Sequence, residues 1–436
     1  MFRCADVRMG RPQGTAEMAG ERGERLHYVD ALRVGAFGIL ILYHASAAFF
    51  PGMVWLVHSA ETSALLEAVM DQPRAWRLPL LFFVAGMGAC FAMSHTRPSV
   101  FLAERLRRLL PPLVAAMALF VVPQVWCERV MEEGYGGSLA TFWLTRYFTE
   151  GKYPDGNITW AHMWFVGYLL AIMVAVVPLL RWATRPGGLS GKLERAARGP
   201  WLYACFLAPL ALNLFLSPFF PRQTNALYND GAWFATWSAW FGLGYVFARH
   251  QGALIGRIIA LRWRSLGLAA LLSAVLAGVS PGTAAATFVG GYAEMRAPFK
   301  LLTFALAWWT ILALVGFAAR HLNRPSRGLA YLGEGVFAFY IIHQTIVVTG
   351  LYLLLPWSLG IGPTYAALVA LTVLGCLLFY ELGRRLPPPL ALAFGIRPRR
   401  PPVPPEAQRA APPRGTAPFS AGSRQRLPSF PAATEP

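Results

Sequence analysis

An all-α, polytopic membrane bundle of about ten helices, with both chain ends cytoplasmic, follows from three features of the 436-residue sequence. Hydrophobic residues make up 56% and charged residues only 14%, with a mean hydropathy of +0.44, which excludes an ordinary soluble domain. Apolar runs recur at about 29–50, 78–95, 109–126, 160–180, 201–217, 233–249, 265–280, 299–319, 329–350 and 363–383, most of them close to the roughly 20 residues that cross a bilayer. The cations alternate between loops. Segments 1–28, 96–108, 181–200, 249–264, 320–328 and 384–436 hold 30 of the 39 Lys and Arg, and the intervening loops hold seven. Positively charged loops stay in the cytoplasm, so this pattern sets the orientation. The net charge of +18, which in a soluble protein would suggest a nucleic-acid partner, is thereby explained by topology. The expected partner is the lipid bilayer, and no nucleic acid.

Taken in order, residues 1–27 form a basic cytoplasmic segment without a signal-peptide pattern, so the first span is expected to stay as an anchor. Residues 28–386 form one transmembrane domain. Residues 387–436 are rich in Pro and Arg and are expected to be a disordered cytoplasmic tail. Cys4, Cys90, Cys127, Cys205 and Cys376 are scattered without metal or redox spacing, so neither a disulfide framework nor a metal site is expected. No internal repeat is visible. The first span, YVDALRVGAFGILILYHASAAFF over 28–50, carries the chemistry-bearing groups. At about 100° per residue, Arg33 and His44, eleven apart, align to within about 20°, and Asp30 precedes Arg33 by three on the same face. Ionisable groups inside a span are costly and mark function by default.

Arginine, ten residues, then histidine, in a first span opening Y-x-D-x-x-R, resembles the acyltransferase-3 family of membrane acyltransferases. The stretches RAWRLPLLFFVAGM (74–87), ERLRRLLPP (104–112), HMWFVGYLL (162–170), FAFYIIHQTIVV (337–348) and YELGRRLP (380–387) resemble the same family in order and spacing. The likeness covers roughly residues 25–390 and is strongest to the branch that includes the glucan biosynthesis protein C succinyltransferases. It implies an O-acyltransferase that moves an acyl group from acyl-CoA, acetyl-CoA or succinyl-CoA, to a hydroxyl of a glycan, polysaccharide or other extracytoplasmic acceptor. Acyl-CoA is then a co-substrate, and no permanently bound cofactor is expected. A bacterial inner-membrane location is implied in the same way. One departure stands out: Ala85 occupies a position before Gly86 where relatives usually carry serine.

With that topology His44, Arg74, Arg77 and His162 lie at similar depth towards the outer side. His44 is the candidate general base, because imidazole titrates near neutral pH, either for direct transfer or by way of an acyl-enzyme. Arg33 and Asp30 join it as catalytic candidates at the cytoplasmic end of the same stripe. Arg74 and Arg77, three apart on one helix face, are candidates for holding developing oxyanion charge or an acidic acyl group. His162 and Trp164 are expected to form an acceptor-side wall, covered by the loop 127–159. Arg105, Arg107 and Arg108 are candidates for the CoA phosphates. His343 is expected to order the bundle, and Glu381 to find an arginine partner on the first or third span. A transporter or flippase for a glycan or small anionic solute is the competing reading, since a polar intramembrane stripe also serves transport. The oligomeric state is not encoded in these motifs.

Overall fold

The computed structural model describes residues 26–53, 55–93, 96–185, 190–278 and 296–397. The basic segment up to residue 25, the tail from residue 398 and the end of the expected seventh span lie outside the described residues. Among the described residues there is no strand, only an isolated bridge between Lys152 and Ile158.

The helices are α1 His27–Ala47, α2 Ala64–Met93, α3 Pro98–Ala115, α4 Val122–Glu133, α5 Leu139–Phe142, α6 Trp164–Ala183, α7 Ser190–Arg198, α8 Leu207–Leu216, α9 Gly231–Arg249, α10 Gln251–Gly278, α11 Arg296–His321, α12 Arg327–Leu354, α13 Ile361–Gly383 and α14 Pro388–Ala393. Among the described residues the expected spans fall largely on helix, the one at 201–217 as a 3-10 turn followed by α8. Among the described residues eight helical segments are long and apolar enough to cross a membrane, and Pro200–Leu216 is a shorter apolar one. The third span is compound: α3 passes through a π-helical turn, Ala116–Phe120, into α4.

Two helices start well before the sequence boundaries. The helix expected from 78 begins at Ala64, because Pro73 and Pro79 are accommodated inside α2 rather than breaking it. The segment 249–264, expected as a cytoplasmic loop, is largely the first half of α10, where Leu254 and Ile258 are buried four apart. At 28 residues α10 is about 42 Å long, well beyond the ~30 Å of hydrocarbon.

The core is aromatic. Phe82 and Phe83 of α2, Trp240 and Phe241 of α9 and Trp308 of α11 are essentially inaccessible and belong to one cluster. Two glycines let α2 and α9 approach backbone to backbone. A Cβ on Gly86 would lie 1.9 Å from the Phe241 carbonyl oxygen, and one on Gly244 would lie 1.8 Å from that of Phe83. Small residues at such crossings are the usual basis of close packing in membranes.

The packed chain continues past the expected end of the transmembrane domain at residue 386. Ala391 and Ile396 are buried against Phe37, Leu40 and Phe339. Gly395, at φ +74°, ends α14, with Ile396 N–H donating to the Ala391 carbonyl at 2.8 Å, a Schellman-type close. The Pro-rich composition hid this short strap, because its burial depends on α3 and α12 rather than on its own pattern.

The reciprocal glycine contact sets the first test. Gly244→Ala should lower stability by about 1–3 kcal/mol, the usual range for overpacking. Thermal unfolding in detergent reads this as an earlier midpoint, and an unchanged midpoint would contradict the close approach.

Candidate active site

The site forms where the C-terminal end of α1, the middle of α2, the start of α6 and the middle of α12 meet. His44, Trp55, Arg77, His162, Trp164, Asn225, Tyr340 and Gln344 line a cavity of about 250 Å³, with Leu40, Leu78, Leu81, Ala161 and Phe165 as its apolar wall. Such a space suits a small group rather than a whole nucleotide. Among the described residues no set of three His, Cys, Asp or Glu is placed to hold a metal ion.

Three histidines converge. His44 Nδ1 lies 3.0 Å from His343 Nε2, with ring centroids 5.2 Å apart. His343 Nδ1 is 2.7 Å from the Tyr340 carbonyl oxygen. The His162 ring meets that of His343 edge-on at 5.3 Å, and its Nε2 is 3.0 Å from the Ile341 carbonyl oxygen. The carbonyls decide the tautomers, because a carbonyl oxygen only accepts. His343 therefore carries its proton on Nδ1 and, as a neutral imidazole, presents a bare Nε2. His44 must then donate from Nδ1, which leaves His44 Nε2 as an unprotonated base. By the same reasoning His162 is protonated on Nε2, and its buried Nδ1 has no hydrogen-bond partner. The Tyr340 hydroxyl donates to the His162 carbonyl. It thereby ties the start of α6 to α12.

Arg77 supplies the positive charge. It is 5% exposed, its guanidinium carbon sits 3.9 Å from the centroid of the Tyr43 ring, and its Nε and Nη1 have no hydrogen-bond partner. A cation–π contact offsets only part of the lost hydration. A buried guanidinium with unused donors on a cavity wall is a ready anion site. Trp55, from the loop after α1, faces the His44 ring with centroids 5.4 Å apart.

Other sequence candidates are placed elsewhere. Arg74 is exposed and pairs with Asp71 at 3.3 Å, so one helix turn separates a surface cation from a cavity cation. Asp30 and Arg33 pair at 3.0 Å, and Arg33 Nη2 also donates to the Gly333 carbonyl at 2.7 Å. This ties α1 to α12 some 16 Å along the helix from His44, by the 1.5 Å rise per residue. Arg105 lies over the Phe101 ring at 4.9 Å, and Arg107 is exposed. Arg33, Arg105 and Arg397 all lie within electrostatic reach of Arg108. Arg397 follows the α14 strap and could not be assigned to this group from sequence.

Glu381 corrects an expectation. Its partners are the Tyr331 hydroxyl at 2.8 Å and Arg384 at 2.7 Å, not an arginine of the first or third span. Arg384 is one turn along its own helix, and the carboxylate is half-exposed at the helix end. His343, expected to order the bundle, is in direct contact with His44. Trp55 and Asn225 were missed, since isolated residues in loops carry no spacing signal, whereas Tyr340 and Gln344 lie in the quoted stretch 337–348 without being singled out.

The loop 134–160 is held against α4 rather than hanging free. Arg129 donates to Asn157 Oδ1 at 3.0 Å and to the Pro154 and Gly156 carbonyls at 2.9 Å. Tyr147 is fully buried and donates to the Met117 carbonyl at 2.9 Å. Burial pushes its phenol up to about 12, so the hydroxyl keeps its proton at neutral pH.

Comparison with known proteins gives a consistent picture. The sequence family described as Acyltransferase domain (Acyl_transf_3) matches residues 26–381. The chain is 21% identical over 340 residues to Glucans biosynthesis protein C of Escherichia coli O139:H28 (strain E24377A / ETEC), covering 74% of this chain and 83% of the relative. It is 22% identical over 339 residues to Glucans biosynthesis protein C of Escherichia coli K12, with the same shares covered. No solved structure matches the chain.

Arg77 yields a prediction about stability. Removing a buried, incompletely bonded cation in favour of an isosteric apolar chain is neutral to stabilising by roughly 1–4 kcal/mol. Arg77→Met should therefore raise the unfolding midpoint in detergent while Arg74→Met leaves it within error, a surface pair being worth about 0–1 kcal/mol. A large drop for Arg77→Met would mean that the guanidinium is structural.

Proposed function

Because the chain belongs to the acyltransferase-3 family and is a multi-pass membrane acyltransferase, we propose that it is a bacterial inner-membrane O-acyltransferase acting from acyl-CoA on a hydroxyl of an extracytoplasmic glycan. The observation that carries this reading is the bare Nε2 of His44 in a cavity that also presents Arg77. A base and an unused cation on one small cavity are what acyl transfer to an alcohol requires.

In the proposed reaction His44 Nε2 takes the proton of the acceptor hydroxyl as its oxygen attacks the thioester carbonyl. The new C–O bond forms while the carbonyl electrons move to oxygen, and Arg77 balances that charge. Collapse breaks the C–S bond, and the leaving CoA thiolate receives the proton from His44. His343 acts as the orienting group: it fixes the tautomer of His44 and accepts the Nδ1 proton's hydrogen bond throughout. Direct transfer needs no acyl-enzyme. Arg77 suits either the oxyanion or the carboxylate of a succinyl group, so acetyl-CoA and succinyl-CoA are both candidate donors. The glycan acceptor is favoured by the named relatives and by Trp164 on the cavity wall, where an indole face suits a sugar ring.

The cations Arg105, Arg108 and Arg397, grouped near Arg33, suit the phosphates of CoA. In this reading they and His44 mark two ends of one route, with the pantetheine arm between helices. The alternating charge of the loops favours the first end as cytoplasmic. Arg74, paired with Asp71 at 3.3 Å, and the exposed Arg107 do not line the His44 cavity.

The test is release of free CoA thiol by the full chain in nanodiscs, with acetyl-CoA or succinyl-CoA and a glucan acceptor. His44→Ala should lower acceptor-dependent release by about 10²–10⁴-fold, the usual worth of a positioned base. His343→Gln, whose amide oxygen still accepts from His44 Nδ1, should retain at least ~10-fold more activity than His343→Phe, as an orienting role requires. Wild-type rates in His44→Ala would remove His44 from the mechanism, and equal rates in the two His343 variants would remove the tautomer argument.

A further inference from the structure

Asn225, like Trp55, reaches the cavity from neither a span nor any motif. Asn225 sits in the loop that joins α8 to α9, and it lines the same cavity as His44, Arg77 and Trp164. Its backbone is left-handed, with φ +53°, a conformation in which asparagine is enriched among residues other than glycine. The loop is fixed from beneath. Asp230, fully buried just before α9, accepts the Tyr168 hydroxyl at 2.6 Å and the Asn225 backbone N–H at 3.0 Å on the same oxygen, Oδ2. Tyr168 belongs to α6 and meets the Trp164 ring edge-on at 5.1 Å. The chain that sets Asn225 therefore runs through the helix that carries Trp164.

The side-chain amide is also oriented. Gln223 Nε2 donates to Asn225 Oδ1 at 3.0 Å. That turns the oxygen toward Gln223, and the two Nδ2 donors make no hydrogen bond among the described residues. Two free N–H donors on a cavity wall complement lone-pair oxygens. They would not suit an aliphatic chain, because burying unpaired donors against hydrocarbon is unfavourable.

We propose that Asn225 is an acceptor-recognition residue: its Nδ2 donates to a hydroxyl or ring oxygen of the sugar whose neighbouring hydroxyl is acylated at His44, and Asp230 with Tyr168 positions it. This rests on the acyl-transfer reading above and adds to it the polyhydroxylated class of the acceptor and the loop that selects it. Arg77 and His44 serve the transferred group, whereas Asn225 serves the molecule that receives it. Its loss should therefore weaken acceptor binding and leave the donor side intact.

The experiment uses the full chain in nanodiscs with laminarihexaose as the probe. Direct binding is measured by thermophoresis, and CoA release is measured against probe concentration. Two variants are compared. Asn225→Gly keeps the left-handed backbone and deletes the amide, and Asn225→Asp keeps the shape and the tolerance of positive φ but removes the donors. Both should weaken probe binding, and raise KM for the probe, by about 10-fold, equivalent to ~1.4 kcal/mol. The kcat, acceptor-independent donor hydrolysis and unfolding midpoint should stay within about 2-fold or within error of wild type. Wild-type binding in Asn225→Gly would overturn the inference, showing that only the backbone conformation matters there. A parallel fall of kcat and donor hydrolysis would also overturn it. Failure of wild type to bind the probe would overturn it for glucose-based acceptors. If wild type binds the probe in an Asn225-dependent way yet releases no CoA with either donor, the acyl-transfer reading falls and Asn225 stands as a glycan-binding residue.

Discussion

The chemistry at the centre of the bundle depends on one backbone oxygen, the carbonyl of Tyr340. It can only accept, so it fixes the proton of His343 on Nδ1. That choice passes across the 3.0 Å contact to His44 and ends on a nitrogen that faces the cavity without a proton. A helix carbonyl is already engaged in its own ladder, yet it keeps a second lone pair, and the side chain three residues on the same helix uses it. The arrangement lets two imidazoles share a buried space without either having to be charged. It also makes α12 the helix that orients the His44 ring.

The position of Arg77 is a second constraint. A guanidinium with unused donors is a poor component of an apolar bundle, and its helix must be held against neighbours that would otherwise let it move. The backbone-to-backbone contacts at Gly86 and Gly244 join α2 to α9, and the aromatic cluster around Phe82, Phe83 and Trp308 fills the space beside them. The packing restricts where Arg77 can go, and the Tyr43 ring gives it one favourable face. The site therefore holds a buried cation whose hydration is only partly replaced by the fold.

Helix α1 divides the labour along its length. One end, with Asp30 and Arg33, ties to α12 through the Gly333 carbonyl and lies near the arginines of α3 and of the C-terminal strap. The other end carries His44 into the cavity. The same two helices, α1 and α12, meet at both levels, so a shift of one against the other would disturb both. Some 16 Å of helix separates the two contacts.

Much of this was legible in the sequence, and the reason is periodicity. Ten apolar runs and alternating cation-rich loops indicated the helical membrane class and the approximate place of most helices, because the bilayer imposes length and hydropathy on each segment separately. The 3.6-residue turn placed Asp30, Arg33 and His44 on one face, and the shared motifs marked the family. Tertiary structure alone decided which of these groups meet. It split Arg74 from Arg77, since one more helix turn leads from the cavity to the surface. It paired Glu381 with Arg384 and Tyr331 rather than with an arginine of the first or third span, and it folded a Pro-rich strap onto α3 and α12. It also brought His343, 299 residues from His44, and Asn225, from a loop with no pattern, to the same cavity. Local sequence fixes each helix and its faces, whereas the partners of a face depend on how distant helices pack, and that is settled only when the whole bundle excludes lipid and water together.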